Sequence, residues 1–454
     1  MHDSPRATFP NGVAALAQAL AAKTISSREA VTHYLANIER DNPRLRAYIH
    51  VMAESALIEA NASDARRAQG AARGALDGIP IALKDNIDVA GVPTTGGIEH
   101  YRHHIATQDA FVTGALKASG AVILGKLNMH EAALGATNDN PWFGRCENPL
   151  RAGTTPGGSS GGSGAAVAAG LCAAALGSDT LGSVRVPAAY CGVFGYKPSY
   201  GRISTRGVLP LSWSFDHLGI LTPAVADLAL LQTVCNAYDV HWPHARGYPA
   251  ETVVAQGFPR GIRLGVPALH EVKLEPAVAQ ACDQALDLAQ RLGATLVALP
   301  LPGFQWSQIR REAFLISEVE AAEVFAAALA ANPQGFSEPL RKMLAFGARQ
   351  TPERLAQACA RMREVAAAVE QTFTAVDAWL LPTTPQRAFA FDTPVPVDQA
   401  DLTGIANIAK LASVALPVAA SDGGLPASVQ FFTPAGQDDL ALRLAEAFAP
   451  GLHP

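Results

Sequence analysis

Short apolar runs alternate with longer segments of helical spacing through most of this chain, and the alternation begins only after an opening that is helical throughout. In the first 75 residues, Ser26-Ser27-Arg28-Glu29 has the spacing of a capping box and predicts a helix running toward Arg40. Ala53 to Ala72 has helical spacing and helix-forming composition. Beyond it, apolar runs at Ile79–Leu83, Ala121–Leu124, Cys172–Leu176 and Val193–Tyr196 are separated by helical segments at Asp109–Ala118, Gly162–Gly170 and Ala224–Cys235. Unbroken apolar runs of strand length between helices predict an α/β fold, a large mixed β-sheet covered by helices on both faces.

The pattern continues with a strand from Gly261 (IRLGVP), a helix at Pro276–Leu292 and a strand at Ala294–Leu299. Helices follow at Ser307–Ala330, Glu338–Ala348 and Pro352–Val376. Strand-like runs return at Trp379–Leu381, Ser413–Ala419 and Ser428–Phe432, before a last helix at Asp438–Phe448. Length alone allows about three domains, but no low-complexity linker and no internal repeat divides the chain. The expectation is one domain over 1–454: N-terminal helices (1–75), a core (76–235), a variable helix-rich region (240–400) and a C-terminal return to the core (401–454).

Composition narrows the function. Lys and Arg number 35 against 40 Asp and Glu, a net charge of −5, and no basic run is denser than Arg66-Arg67 or Arg310-Arg311. Nucleic acid and anionic membranes, which select clustered cations, are therefore not expected partners. Charged residues make up 17%, against roughly 25% in typical soluble domains, so much of the chain must be buried. The most apolar stretch, Gly164 to Gly177, is too short to span a bilayer, and the opening MHDSPRATFP lacks a signal core. A cytoplasmic location is expected.

Six cysteines without a C-x-x-C pair read as reduced core thiols. His100, His103 and His104 read as a solvated loop face, since no patterned set of further ligands accompanies them. No metal and no cofactor is expected. Asn61-Ala62-Ser63 matches a glycosylation sequon by chance.

The most informative stretch is Gly153 to Gly201. It contains Pro156-Gly157-Gly158-Ser159-Ser160-Gly161-Gly162-Ser163-Gly164 and then Ser178-Asp179-Thr180-Leu181-Gly182-Ser183-Val184-Arg185. A flexible linker would also be rich in Gly and Ser, but this run leads straight into an apolar helix and strand. Glycine here suits a backbone that must approach a ligand closely. Gly157 to Gly161 fits the G-x-S-x-G nucleophile elbow, yet no apolar strand precedes it to carry a strand-turn-helix. Gly120 to Lys126 fits most of a phosphate-binding loop, but its interior (AVIL) is itself a strand, and Leu127 stands where a Ser or Thr belongs.

Together with GIPIALKDNIDVAG around Lys84, the elements PGGSSGGS and GSDTLGSVRVPAAYCGVFGYKPSYGR resemble the amidase signature family of hydrolases. The similarity extends over Leu76 to Leu230 and resumes in ASVALPVAASDGGLPASVQF. By position, it implies a Ser-cisSer-Lys triad: Ser183 as nucleophile, Ser159 as bridging serine after a cis peptide, Lys84 as base. It also implies an oxyanion hole of backbone N–H groups from Thr180, Leu181, Gly182 and Ser183. Where the family has Gly-Gly-Ser, this chain has Leu181 in the first glycine position, so its side chain is expected to narrow or line the acyl pocket, and a left-handed backbone there would be strained.

The chemistry fits those residue types. Amide hydrolysis needs an activated alkoxide, a proton for the departing nitrogen and stabilisation of the carbonyl oxygen. A free lysine, with a pKa of about 10.4, is almost wholly charged at pH 7; the apolar residues before Lys84 would desolvate its amine and lower that value. A serine hydroxyl can accept from one neighbour while donating to another, as a relay must. Asp179 and Arg185 are read as structural partners that fix the nucleophile loop.

Related enzymes contact substrate near Thr137 and Asn138 and near Trp213 and His217, which makes these the candidate substrate-binding residues. The alternative is that Trp213 is core and His217 a structural hydrogen-bonder. The charge-poor helices from Phe314 to Phe346 suggest an apolar approach channel. The expected substrate is a small neutral amide, apolar or aryl, with esters and carbamates as side substrates, acted on by a monomer or homodimer. Two rivals stand: the glutaminase subunit of a tRNA-dependent amidotransferase, and a biuret- or ureide-type hydrolase suggested by Asp216-His217-Leu218-Gly219.

Overall fold

The structure, a computed structural model, describes residues 9–248 and 257–452, so the first eight residues of the opening read for a signal core lie outside it. It opens with α1 (Val13–Ala21), α2 (Ser27–Leu45), β1 (Tyr48–Val51) and α3 (Ala53–Ala68). The capping box forms at Ser26 and Glu29, each accepting from the other's backbone N–H. Helix α2 continues past Arg40 to Leu45.

The core then alternates as the apolar runs predict. It comprises β2 (Pro80–Lys84), α4 (Phe111–Ala118), β3 (Val122–Leu127), α5 (Gly161–Ala168), β4 (Ala174–Asp179), α6 (Arg185–Cys191), β5 (Phe194–Lys197), β6 (His217–Thr222) and α7 (Val225–Cys235). Next come β7 (Arg263–Pro267), α8 (Pro276–Arg291), β8 (Thr295–Leu299), α9 (Trp306–Ala331), α10 (Glu338–Ala348), α11 (Pro352–Thr372) and β9 (Ala378–Pro382). The chain closes with α12 (Gly404–Ile408), β10 (Ala412–Val418), β11 (Ala427–Thr433) and α13 (Asp438–Leu452). Strands β1 and β6 and helices α6 and α12 are additions to the sequence reading, and β1 interrupts the opening expected to be helical.

The eleven strands form one mixed sheet in the order β1-β3-β2-β4-β6-β5-β10-β11-β9-β7-β8. Strand β2 runs parallel to β3 and β4, and β7 parallel to β8 and β9; the other pairs are antiparallel. Every residue of β2 to β6 and of β9 to β11 is buried. Successive strand residues point to opposite faces, so burial at every position requires cover on both. The edge strands β1 and β8 carry exposed residues. Among the described residues no helix is long and apolar enough to cross a membrane.

Two details of this packing place the site. Register pairs Leu83 of β2 with Leu176 of β4, so the C-terminal ends of these parallel strands lie side by side and present Lys84 next to Ser178. Strand β3 holds Lys126 buried beside Asp85, at 3.0 Å, which makes the rejected phosphate-loop match a strand interior.

Helix α5 sits so close to the β1 and β3 connections that Gly162 has no room for a side chain. A Cβ there would stand 2.6 Å from both Ala47 C=O and Asn128 N–H. In an open helix, Gly→Ala gains about 1 kcal/mol; here the sign reverses. Gly162→Ala should lower the urea midpoint by an amount equivalent to about 1–3 kcal/mol with an unchanged m-value.

Candidate active site

Lys84 ends β2, and cover on both sheet faces takes its side chain out of water. Its Nζ lies 2.7 Å from Ser159 Oγ and 2.8 Å from Ser178 Oγ, so its side-chain partners are hydroxyls rather than carboxylates. Burial disfavours the ammonium and brings its pKa down to about 7, against a smaller opposing pull from Asp216 and Asp179. Roughly half of the amine is then neutral at pH 7. Asn86 Nδ2 donates to Ser178 Oγ at 3.1 Å, fixing that hydroxyl from its other side.

Ser159 is fully buried and follows a cis peptide bond from Gly158. A Cβ on Gly158 would meet the Ala136 carbonyl carbon at 2.8 Å, so this loop lies directly against the Ala136–Thr137 backbone. Ser160 N–H donates to Ser183 C=O at 3.2 Å, which ties the Ser159 loop to the loop carrying Ser183.

That second loop, Thr180 to Ser183, connects β4 to α6 and is organised by Asp179. The Asp179 carboxylate accepts from Gly182 N–H (2.7 Å) and Val184 N–H (3.1 Å), and from Arg185 through Nε (3.1 Å) and Nη2 (3.0 Å). Arg185 also donates to Thr403 C=O, Asn407 Oδ1 and Gln430 Oε1. Burial alone would push the Asp179 carboxyl up; the charge and hydrogen bonds of Arg185, with Lys197 and Asn407, outweigh it and hold it well below the usual carboxylate range. Because the Gly182 N–H is committed to Asp179, the expected oxyanion donors narrow to Thr180, Leu181 and Ser183.

Leu181 avoids the strain anticipated for it. The left-handed conformation falls one residue later, on Gly182 (φ 131°), where a side chain would collide with Thr403 Oγ1. Thr403 Oγ1 donates to Leu181 C=O at 2.7 Å and holds the loop from outside.

The cavity over Ser183 has a volume of about 30 Å³. Gly158, Thr180, Leu181, Gly182 and Ser183 form one side of it; Leu134, Gly135, Ala136, Leu211, Phe314 and Ser317 contribute the rest, with Ala133, Val186 and Ala400 completing a lining that holds no charged side chain. Thr180 Oγ1 donates to Asp216 Oδ1 at 2.6 Å, and Asp216 accepts from Leu211 and Ser212 N–H as well. Burial pushes the Asp216 carboxyl up to about 6, against those three hydrogen bonds. Glu320 of α9 accepts from Ser212 Oγ and Ser214 N–H, anchoring the same segment.

The Amidase family model matches residues 29–442. The chain belongs to the amidase family, a family of amide C–N hydrolases. A glutamyl-tRNA(Gln) amidotransferase subunit from Anaeromyxobacter sp. (strain K) is 45% identical over 286 residues, 62% of this chain and 58% of that protein, so the match spans less than two thirds of that relative. The subunit of the same name from Chloroflexus aurantiacus is 34% identical, with 96% of this chain and 95% of that protein covered. Among solved structures, a chain described with a vestigial protein complex and the evolutionary origins of an s-triazine catabolic enzyme has a TM-score of 0.91 at 34% identity, covering 97% of this chain and 98% of that one. 6-Aminohexanoate cyclic dimer hydrolase complexed with substrate has a TM-score of 0.87 at 26% identity, covering 98% of each chain.

Within this amidase framework the residues expected to contact substrate fall in different places. His217 opens β6 in register with Asp179; it is buried, its Nδ1 lies 2.6 Å from Phe215 C=O, and burial holds its pKa well below 6.5. It is a hydrogen-bonder behind the loop, because the run after it is a core strand. Asn138 is fully buried against Gly161, and Thr137 accepts from Thr155 Oγ1 through its carbonyl; the cavity is lined by the preceding Leu134 to Ala136 instead. Trp213, 48% exposed, lines a separate cleft of about 590 Å³. Of the apolar helices expected to form a channel, Phe314 reaches the cavity, while Phe325, Phe336, Leu340 and Leu344 pack into a core cluster. His100 stacks on Phe336, at 5.8 Å between ring centres.

Sequence reasoning misses Ser178 and Asn86 as members of the site. Asn86 stands two residues after Lys84, the spacing at which extended residues share a side, and Ser178 adjoins Asp179 at the end of an apolar run; both signals become specific only once β2 and β4 are known to be neighbours.

The amine of Lys84 acts as a base only when neutral, so kcat/KM should rise about tenfold per pH unit below about 7 and level off above it. Ser178→Ala removes an acceptor that favours the ammonium, so the limb of that profile should move to lower pH while the plateau falls. A pH–rate series on both proteins checks it.

Proposed function

We propose that this chain hydrolyses small neutral amides, apolar or aryl, through an acyl-enzyme on Ser183. The observation that carries the reading is the Lys84 amine, buried among hydroxyls and 2.7 Å from Ser159 Oγ, at the end of a segment that leads by the Ser160–Ser183 hydrogen bond to the proposed nucleophile. Ser183 Oγ attacks the carbonyl carbon as its proton passes to Ser159 Oγ, and the Ser159 proton passes to neutral Lys84 Nζ. The carbonyl oxygen, now an anion, is held by N–H groups of Thr180, Leu181 and Ser183. On collapse the C–N bond breaks, and the departing nitrogen takes the proton back from Lys84 through Ser159. Water repeats the sequence on the ester, releasing the acid and restoring Ser183.

The amidotransferase-subunit reading is supported by the names of the relatives. Against it stands the uncharged lining of the cavity, which offers no partner for the ammonium and carboxylate of glutamine. A ureide-type substrate keeps a specific support: it is small and uncharged, as the 30 Å³ cavity demands. Esters and carbamates present the same carbonyl to the same nucleophile and fit as side substrates. Six free cysteines among the described residues support a reducing, cytoplasmic setting.

Intact mass and peptide mapping after treatment with a small fluorophosphonate should place one adduct on Ser183; labelling elsewhere overturns the assignment. Lys84→Ala should lower kcat by roughly 10²–10⁴ on the best substrate. Assays of the isolated chain on aryl amides, aliphatic amides, carbamates, biuret and glutamine should rank glutamine last, and glutamine turnover above that of the aryl amides would reverse the choice between readings.

A further inference from the structure

The small cavity over Ser183 and the far larger cleft that Trp213 lines have no lining residue in common, yet one hydrophobic cluster contributes to both walls. Leu181 is 5% exposed and lines the small cavity. Phe215 and Ile316 line the 590 Å³ cleft, and all three residues share one hydrophobic cluster. The Leu181 backbone is also held in place. Its carbonyl is fixed by Thr403 Oγ1, and it is followed by the left-handed turn at Gly182, where a side chain would collide with Thr403 Oγ1. The side chain is thereby rooted at the cavity wall.

Volume then decides what can sit on the nucleophile. About 30 Å³ is a tenth of the roughly 300 Å³ at which pockets for drug-sized ligands begin. Glycine in place of Leu181 would remove four carbons from the wall of this cavity. We propose that Leu181 is the specificity-determining residue of the acyl pocket, closing it to acyl groups larger than acetyl or carbamoyl, so that substrate bulk is carried on the amine side of the scissile bond. The substrate class is thus short-chain acyl or carbamoyl amides of larger, uncharged amines. This rests on the Ser183 acyl-enzyme reading.

A series of p-nitroanilides with acetyl, butyryl and hexanoyl groups varies the acyl part alone. The native enzyme should prefer acetyl. In Leu181→Ala the ratio of kcat/KM for butyryl over acetyl should rise about 10–200-fold, the range that small changes in pocket methylenes command. Leu181→Val, a milder change in the same cluster, should move the ratio in the same direction by less. Titration of Ser183 with a small fluorophosphonate counts competent sites in each protein, so partial misfolding does not enter the ratio. A ratio unchanged in both variants, with Ser183 still titrating, overturns the proposal, as does native hexanoyl turnover equal to acetyl. Native enzyme that neither labels on Ser183 nor cleaves any anilide overturns the acyl-enzyme reading itself.

Discussion

An amine buried among hydroxyls is the constraint on which the rest of the site depends. The core buries three lysines in β2, β3 and β5, and each is treated differently. Lys126 lies 3.0 Å from Asp85, and Lys197 donates to the carbonyls of Pro198 and Leu411. Among the described residues, Lys84 Nζ meets Ser159 and Ser178 alone at hydrogen-bond distance. A carboxylate in that place would hold the ammonium charged and useless as a base. The two acids nearest the site are accordingly engaged elsewhere, Asp179 by Arg185 and Asp216 by Thr180 and two backbone N–H groups.

Those engagements also shape the nucleophile loop. Asp179 draws Gly182 and Val184 N–H toward the sheet, and Asp216 holds the Thr180 hydroxyl from the opposite side. The loop is held at both ends by carboxylates, and Leu181, Gly182 and Ser183 between them line the cavity. Glu320 of α9 extends the same chain of hydrogen bonds, so the helix-rich region does more than cover the site.

The strands of the core were legible because a sheet buried on both faces writes itself as unbroken apolar runs. The proposed roles of Ser159 and Ser183 were legible because close backbone approach at Gly158 and a left-handed turn at Gly182 demand glycines that stand out in a chain. Strand β6 was hidden: its first residues, His217-Leu218-Gly219, carry a histidine that looks chemical until pairing with Asp179 shows it to be core. The cavity lining was illegible for a related reason. It depends on which way each residue of α9 points: the apolar neighbours Phe314 and Ile316 line different cavities, a difference that hydrophobicity does not record.

Arg185 ties the nucleophile loop to residues far along the chain. Its partners Thr403, Asn407 and Gln430 follow it by more than 200 positions, and β10 lies at the middle of the sheet beside β5. A ribosome delivers Lys84, Ser159 and Ser183 well before these partners. Until α12, β10 and β11 emerge, the guanidinium of Arg185 lacks the carbonyls that receive it and β5 lacks a neighbour on that side. The nascent chain therefore carries Lys84, Ser159 and Ser183 before the partners that organise the Thr180–Ser183 loop, and that loop takes its final form only after β11 has emerged.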